Sequence, residues 1–194
     1  MEERKINETE SLELISMMVK NARTNLRAKI NNNILLLWGY TVVIISILVW
    51  ILKKWTIFPY ASLLWLLIPF ICLPITKHLY SQDKVKVKSY LDKTIDYITI
   101  LNVLVCTIIA LSAIWAKMPV LFIEGILFSM WIITIGLLIR YKIVIFGGVI
   151  GITLSLCLFF IPEEVNQILI FALIPLFSII IPGHLLKKNI RSNV

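Results

Sequence analysis

The chain has 194 residues, of which 59% are hydrophobic and only 15% charged, with a formal net charge of +8. Soluble domains are about 45–50% apolar and about 25% charged, so an ordinary water-soluble fold is excluded. The basic excess does not indicate direct nucleic-acid binding either, because its distribution along the chain reads as a membrane address.

Residues 1–33 are polar and basic and come before the first apolar run. Apolar residues recur at Leu12, Ile15, Val19, Ala22 and Leu26, in steps of three and four, which predicts a helix with one apolar stripe. Asn7 with Glu10 three residues on resembles a capping box. Acidic residues (Glu8, Glu10, Glu13) crowd the start and basic ones (Lys20, Arg23, Arg27, Lys29) the end, as the helix dipole favours. Asn residues at 31–33 predict a break before the membrane. Such a stripe must be buried. It can lie on lipid or on the protein's own loops, pair with a copy of itself, or dock on a soluble cytoplasmic partner, with Lys20, Arg23 and Arg27 flanking the contact.

Six apolar runs of spanning length follow, at 34–52, 57–76, 95–116, 119–139, 143–161 and 168–186, and a basic tail occupies 187–194. About 20 such residues are needed for a helix to cross the hydrocarbon. Barrel strands alternate polar and apolar residues, and these runs do not. The expected fold class is therefore all-α: a polytopic bundle of six transmembrane helices preceded by a cytoplasmic amphipathic helix. The first run is not read as a signal peptide, since over thirty polar residues precede it and no A-x-A-like site closes it.

Of the 19 Lys and Arg residues, only Lys53, Lys54 and Lys117 fall in loops on one side of such a bundle. The rest fall on the other side, in the N-terminal segment, the 77–93 loop, the 140–142 turn and the tail. The positive-inside rule then puts both termini in the cytoplasm, which fits a bacterial inner membrane.

Within the runs, Pro69 and Pro74 are expected to free carbonyls and bend span two, Pro59 to sit in its first turn, and Pro175 to act similarly in span six. Ser81 or Asp83 is expected to start a helix that continues through Tyr90 into span three, offering a surface for the N-terminal helix, with Asp92 and Asp96 facing Arg23 or Arg27. Gly147, Gly151 and Ser155 in span five, and Gly125 and Ser129 in span four, form small-residue faces, read as internal helix packing ahead of a dimer face. Trp38, Trp50, Trp55, Trp115 and Trp131 read as interfacial belt residues.

Chemistry is sparse. There is no P-loop, G-x-S-x-G or H-E-x-x-H pattern, so no enzyme, catalytic residue or cofactor is expected. Cys72, Cys106 and Cys157 match no metal or redox spacing and read as small apolar fillers. His78 and His184, with Asp83, are weighed as a metal set and read instead as interfacial residues near helix C-termini. The intramembrane polar candidates are Glu124, about 7–9 Å into span four and within reach of Lys117, and Asn102, expected to bond between helices.

The segments "ESLELISMMVKNARTNLR", "LLLWGY" and "IIPGHLLK", taken with the six-span layout, resemble a family of small polytopic inner-membrane proteins of Bacteroidetes-type bacteria. The middle of the chain is generic, and "NNN" stands where the family has a Gly/Asn-rich join. Genes of that family sit beside small winged-helix regulators. The resemblance thus implies an inner-membrane location and a regulatory partner, and it carries over no catalytic residue. The function expected is a non-enzymatic regulator, sensor or adaptor, with lipid and a soluble regulator or a second copy as partners. The alternative is a transporter or channel-like component using proline-broken span two and Glu124.

Overall fold

A computed structural model describes residues 8–30, 34–55, 61–82, 90–112, 115 and 118–185. All of the regular structure among them is helical: α1 (Glu8–Ile30), α2 (Ile34–Trp55), a 3₁₀ turn (Ala61–Leu66) running into α3 (Leu67–Gln82), α4 (Tyr90–Ser112), α5 (Val120–Ile139), α6 (Lys142–Phe159) and α7 (Glu164–Pro175). A π-helical stretch (Leu176–Ile180) and a last α turn at 181–185 continue α7. Six of the helical segments are long and apolar enough to cross a membrane, the architecture of a multi-pass membrane protein.

Four spans make the core. α2 and α7 run antiparallel along their whole length. At one end the Tyr40 hydroxyl lies 2.8 Å from His184 Nε2, and at the other Lys53 Nζ lies 3.4 Å from Glu164 Oε2. The start of α2 and the end of span six therefore share one end of the bundle. α5 and α6 form a tight hairpin closed by Arg140, which takes the left-handed conformation (φ 51°). This lets the N–H of Tyr141 reach Gly136 O at 2.9 Å.

The core divides into two clusters by depth. One holds Val42, Ile45, Val49, Leu121, Leu158, Ile168, Phe171 and Ile174 at the end where α2 finishes and α7 begins. The other holds Leu35, Trp131, Ile132, Ile135, Ile139, Val144 and Ile179 at the opposite end. By contrast α3 and α4 are peripheral. Among the described residues only Ala61 and Cys72 are buried in span two, and none is in α4.

Small residues set the α5–α6 distance. A Cβ on Gly125 would stand 2.5 Å from Ser155 Oγ, and one on Gly151 would stand 2.5 Å from Ser129 Oγ. Each serine hydroxyl donates to a glycine carbonyl on its own helix: Ser129 to Gly125 O at 2.7 Å and Ser155 to Gly151 O at 2.8 Å. The hydroxyls thus place no unpaired polar group in the seam, and close approach maximises dispersion contact where lipid supplies no hydrophobic drive.

Several boundaries differ from those read in the sequence, for identifiable reasons. α2 extends past residue 52 to Trp55, because Lys53 and Lys54 are welcome in a last turn and Lys54 Nζ stands 4.6 Å from the Trp50 ring centroid. α7 begins at Glu164 rather than 168. The backbone N–H groups of Asn166 and Gln167 both donate to Glu163 O at 3.1 Å, and an acidic first turn suits the dipole. Ser81 does not start a helix: it lies in the last turn of α3, which runs to Gln82, and the next helix begins at Tyr90. Asn7, Asp83, Pro59 and Lys117 lie outside the described residues. In span two the chain changes from 3₁₀ to α just before Pro69, and Pro74 lies inside α3.

Pro175 does more than bend span six. It is followed by the π stretch, in which the N–H of Ile181 reaches back to Leu176 O. Gly147 meets the chain here: its missing Cβ would stand 3.0 Å from both Phe177 O and Ser178 O. Pro182 has no N–H to offer Ser178 O, so that carbonyl loses its ordinary helical donor. The Gly147 Cα–H group faces these carbonyls.

Candidate functional site

Two places carry features that packing alone does not absorb. The first is α1, which touches α4 and α5. Residues 12–21 of α1 are all exposed, on polar and apolar sides alike, so this part of the helix stands clear of the bundle. Leu12 is 66%, Ile15 57% and Val19 40% exposed. Lys20 is exposed as well and has a bonding partner. Ala22, Arg23, Leu26 and Arg27 fall within α1, but their side chains, and any meeting of Arg23 or Arg27 with Asp92 or Asp96, lie outside the described residues.

The stripe read from the sequence is also incomplete. Leu14, Met17 and Met18 are exposed too. With Leu12, Ile15 and Val19 they cover an arc about 220° wide at 100° per residue, broader than a coiled-coil seam.

The second place is the α4–α5 seam. Asn102 Nδ2 donates to Leu127 O at 3.1 Å, and the Cys106 thiol donates to Asn102 Oδ1 at 3.5 Å. Cys106 also lies within electrostatic reach of Glu124. Glu124 is half-buried, one helical turn before Leu127. Among the described residues no hydrogen bond or ion pair holds its carboxylate. The three polar groups thus line one interhelical seam, with Asn102 acting as an anchor for α4. Cys106 is not merely a filler, since its thiol completes the Asn102 amide. The Asn102–Leu127 bond depends on the antiparallel register of α4 and α5, which no spacing in the sequence gives.

Two tryptophans are likewise misread as belt residues. Trp38 and Trp131 are 6% and 7% exposed, inside the bundle. Trp38 Nε1 donates to Thr76 Oγ1 at 3.2 Å, tying α2 to α3. Trp131 Nε1 donates to Thr99 Oγ1 at 3.1 Å, tying α5 to α4. Trp55 and Trp115 are the strongly exposed ones.

Gly147, Gly151 and Ser155 are all buried on the inward side of α6 and contact span six and α5. His184 pairs with Tyr40, and His78 has a partner of its own. No cluster of three metal-ligating side chains occurs among the described residues. Cys72 is buried and Cys157 exposed. No protein family, curated protein or solved structure matches the chain.

Proposed function

We propose that this chain is a non-enzymatic protein of a bacterial inner membrane, a regulator, sensor or adaptor that docks partners on α1 from the cytoplasmic side. The reading rests on one observation: Leu12, Ile15 and Val19 stand exposed on the part of α1 that is clear of the bundle. Apolar side chains left uncovered at helical spacing mark an interaction surface. Cytoplasmic placement is supported by the charge asymmetry of the loops. The resemblance to a family whose genes neighbour winged-helix regulators supports a soluble regulatory partner.

The test is photo-crosslinking in cells from position 23, in the parent chain and in one carrying Ile15→Asp and Val19→Asp. The parent should capture a soluble protein and the double variant should not, with membrane insertion equal in both. Capture that survives the double substitution removes the stripe from the interface.

A second reading, a transporter or channel-like component, is favoured by one feature: Glu124 sits in the α4–α5 seam with no hydrogen bond or ion pair among the described residues. A carboxylate in a span is costly and is retained where it serves a pathway. A flux into vesicles that Glu124→Gln abolishes would carry that reading.

A further inference from the structure

We propose that the place where Pro69 and Pro175 interrupt spans two and six is a binding site for a small uncharged molecule of the aliphatic alcohol class. The inference goes beyond the docking reading and does not use α1.

Two buried side-chain polar atoms among the described residues have no partner, Ser46 Oγ and Trp65 Nε1. Both border one core cluster. Ser46 lies on α2 among Val42, Ile45 and Val49, and Trp65 packs against the same cluster. The other fully buried serines, Ser129, Ser155 and Ser178, each donate to the carbonyl four residues back. Ser46 has the same option in Val42 O and does not take it.

Backbone carbonyls are released at the same place. Pro69 has no N–H to give Trp65 O, and the chain up to Leu66 is wound as a 3₁₀ turn. Pro175 has no N–H to give Phe171 O, and the next N–H, that of Leu176, goes to Leu173 O. The two residues concerned meet: the rings of Trp65 and Phe171 have centroids 5.8 Å apart. Ser46 is level with them. Gly39 packs on Ile179 and Ile180, and Lys53 reaches Glu164, so Ser46, midway between on the antiparallel α2, falls opposite Phe171 and Ala172. Gly39 and Ser46 are two turns apart and share one face of α2. Interrupted spans that pack together in this way build binding sites in membranes.

The groups on offer select the ligand. Two carbonyl oxygens accept, the indole N–H donates and the Ser46 hydroxyl does either. The carbonyls repel an anion, and the indole N–H repels a cation. No charged side chain belongs to the cluster, whose walls are aliphatic and aromatic. An apolar body with one group that both donates and accepts fits, and a hydroxyl is that group. Span two is the peripheral wall of the site, with Leu63 and Leu67 exposed on it, so a molecule dissolved in the bilayer reaches the site from the side. Two unpaired polar atoms cost the empty bundle stability, and a ligand that pairs them offsets that cost.

The experiment uses the purified full chain in nanodiscs and a diazirine-bearing octanol as photolabel, with adducts mapped by mass spectrometry. The expected result is saturable labelling within residues 61–68 and 168–175 that excess octanol displaces and octane does not. Ser46→Ala should lower labelling several-fold with an unchanged or higher thermal midpoint, and Trp65→Phe should lower it as well. Ser178→Ala should leave it unchanged, because the Ser178 hydroxyl is already bonded within its own helix. Displacement by octane, octanoate or octylammonium at the same membrane concentration overturns the proposal. Labelling that does not saturate, or that survives both substitutions, overturns it as well. The assay contains no partner protein, so failure here leaves capture on α1 standing, and failure of capture leaves this site standing.

Discussion

Trp38 and Trp131 face each other in the bundle interior, with ring centroids 6.3 Å apart and planes inclined at 56°. Each turns its indole N–H away from the other to a threonine on a peripheral helix, Thr76 of α3 and Thr99 of α4. The four residues form a string across the molecule, and each outer span is fastened to the core by one of its hydrogen bonds.

Removing one fastening should therefore have a small and local cost. Thr99→Val keeps volume and removes the acceptor, leaving a buried indole N–H unpaired. A loss of about 0.5–2 kcal/mol is expected, read as a lower thermal midpoint in detergent. Trp131→Ala removes the ring as well and should cost about 3–5 kcal/mol. If the two variants are equally stable, the string is not what holds α4.

The glycines of α6 predict different responses to the same substitution. In Gly151→Ala the new methyl meets the Ser129 hydroxyl, a side chain that a second substitution can remove. In Gly147→Ala it meets Pro182 and the backbone carbonyls of Phe177 and Ser178. Each single change should destabilise by about 1–3 kcal/mol. Ser129→Ala should recover much of the Gly151→Ala loss and none of the Gly147→Ala loss. Recovery of neither, in a thermal-shift double-mutant cycle, would mean that the α5–α6 spacing is set elsewhere.

Ser46 and Ser178 are both fully buried, but only one of them is bonded. Ser178 Oγ donates to Ile174 O at 2.7 Å, whereas Ser46 Oγ has no partner. An unpaired buried hydroxyl costs about 1–3 kcal/mol. Ser46→Ala should be neutral or stabilising by about 1 kcal/mol, and Ser178→Ala neutral or destabilising. Unfolding curves of the two variants in one detergent would reveal a reversed order.

Glu124→Gln should leave the fold intact. No ion pair or hydrogen bond to the carboxylate exists among the described residues to be lost, and a neutral amide is cheaper in a span than a charge. The thermal midpoint should stay the same or rise. A clear fall would show that the carboxylate holds a structural partner.

The ion pair of Lys53 with Glu164 joins the last turn of α2 to the first turn of α7 at 3.4 Å, with the glutamate side chain 80% exposed. Lys53→Ala is accordingly expected to cost less than about 1 kcal/mol, and that cost should shrink further with added salt. A larger loss that persists at high salt would make this pair part of the α2–α7 fastening.

The sequence by itself determined the helical class and the six crossings, because apolar length against bilayer thickness is a one-dimensional quantity. It also determined a helix before them, because residues 12–26 repeat in threes and fours. Its turns and ends were less legible. Lysines 53 and 54 and Glu164 read as loop residues until the dipole of the finished helix took them in. Only the tertiary structure decided which polar residues act together. Cys106 meets Asn102 within α4, but Asn102 meets Leu127 only through the register of α4 against α5. Trp38 and Trp131 left the expected belt because the peripheral helices α3 and α4 supplied threonine acceptors for their N–H groups. The facing of Gly147 onto the π stretch after Pro175 depends on how α6 lies against span six. Spacing along one chain fixes the angle of a residue on its own helix, whereas pairing needs the rotation and offset of a second helix, and only packing supplies those.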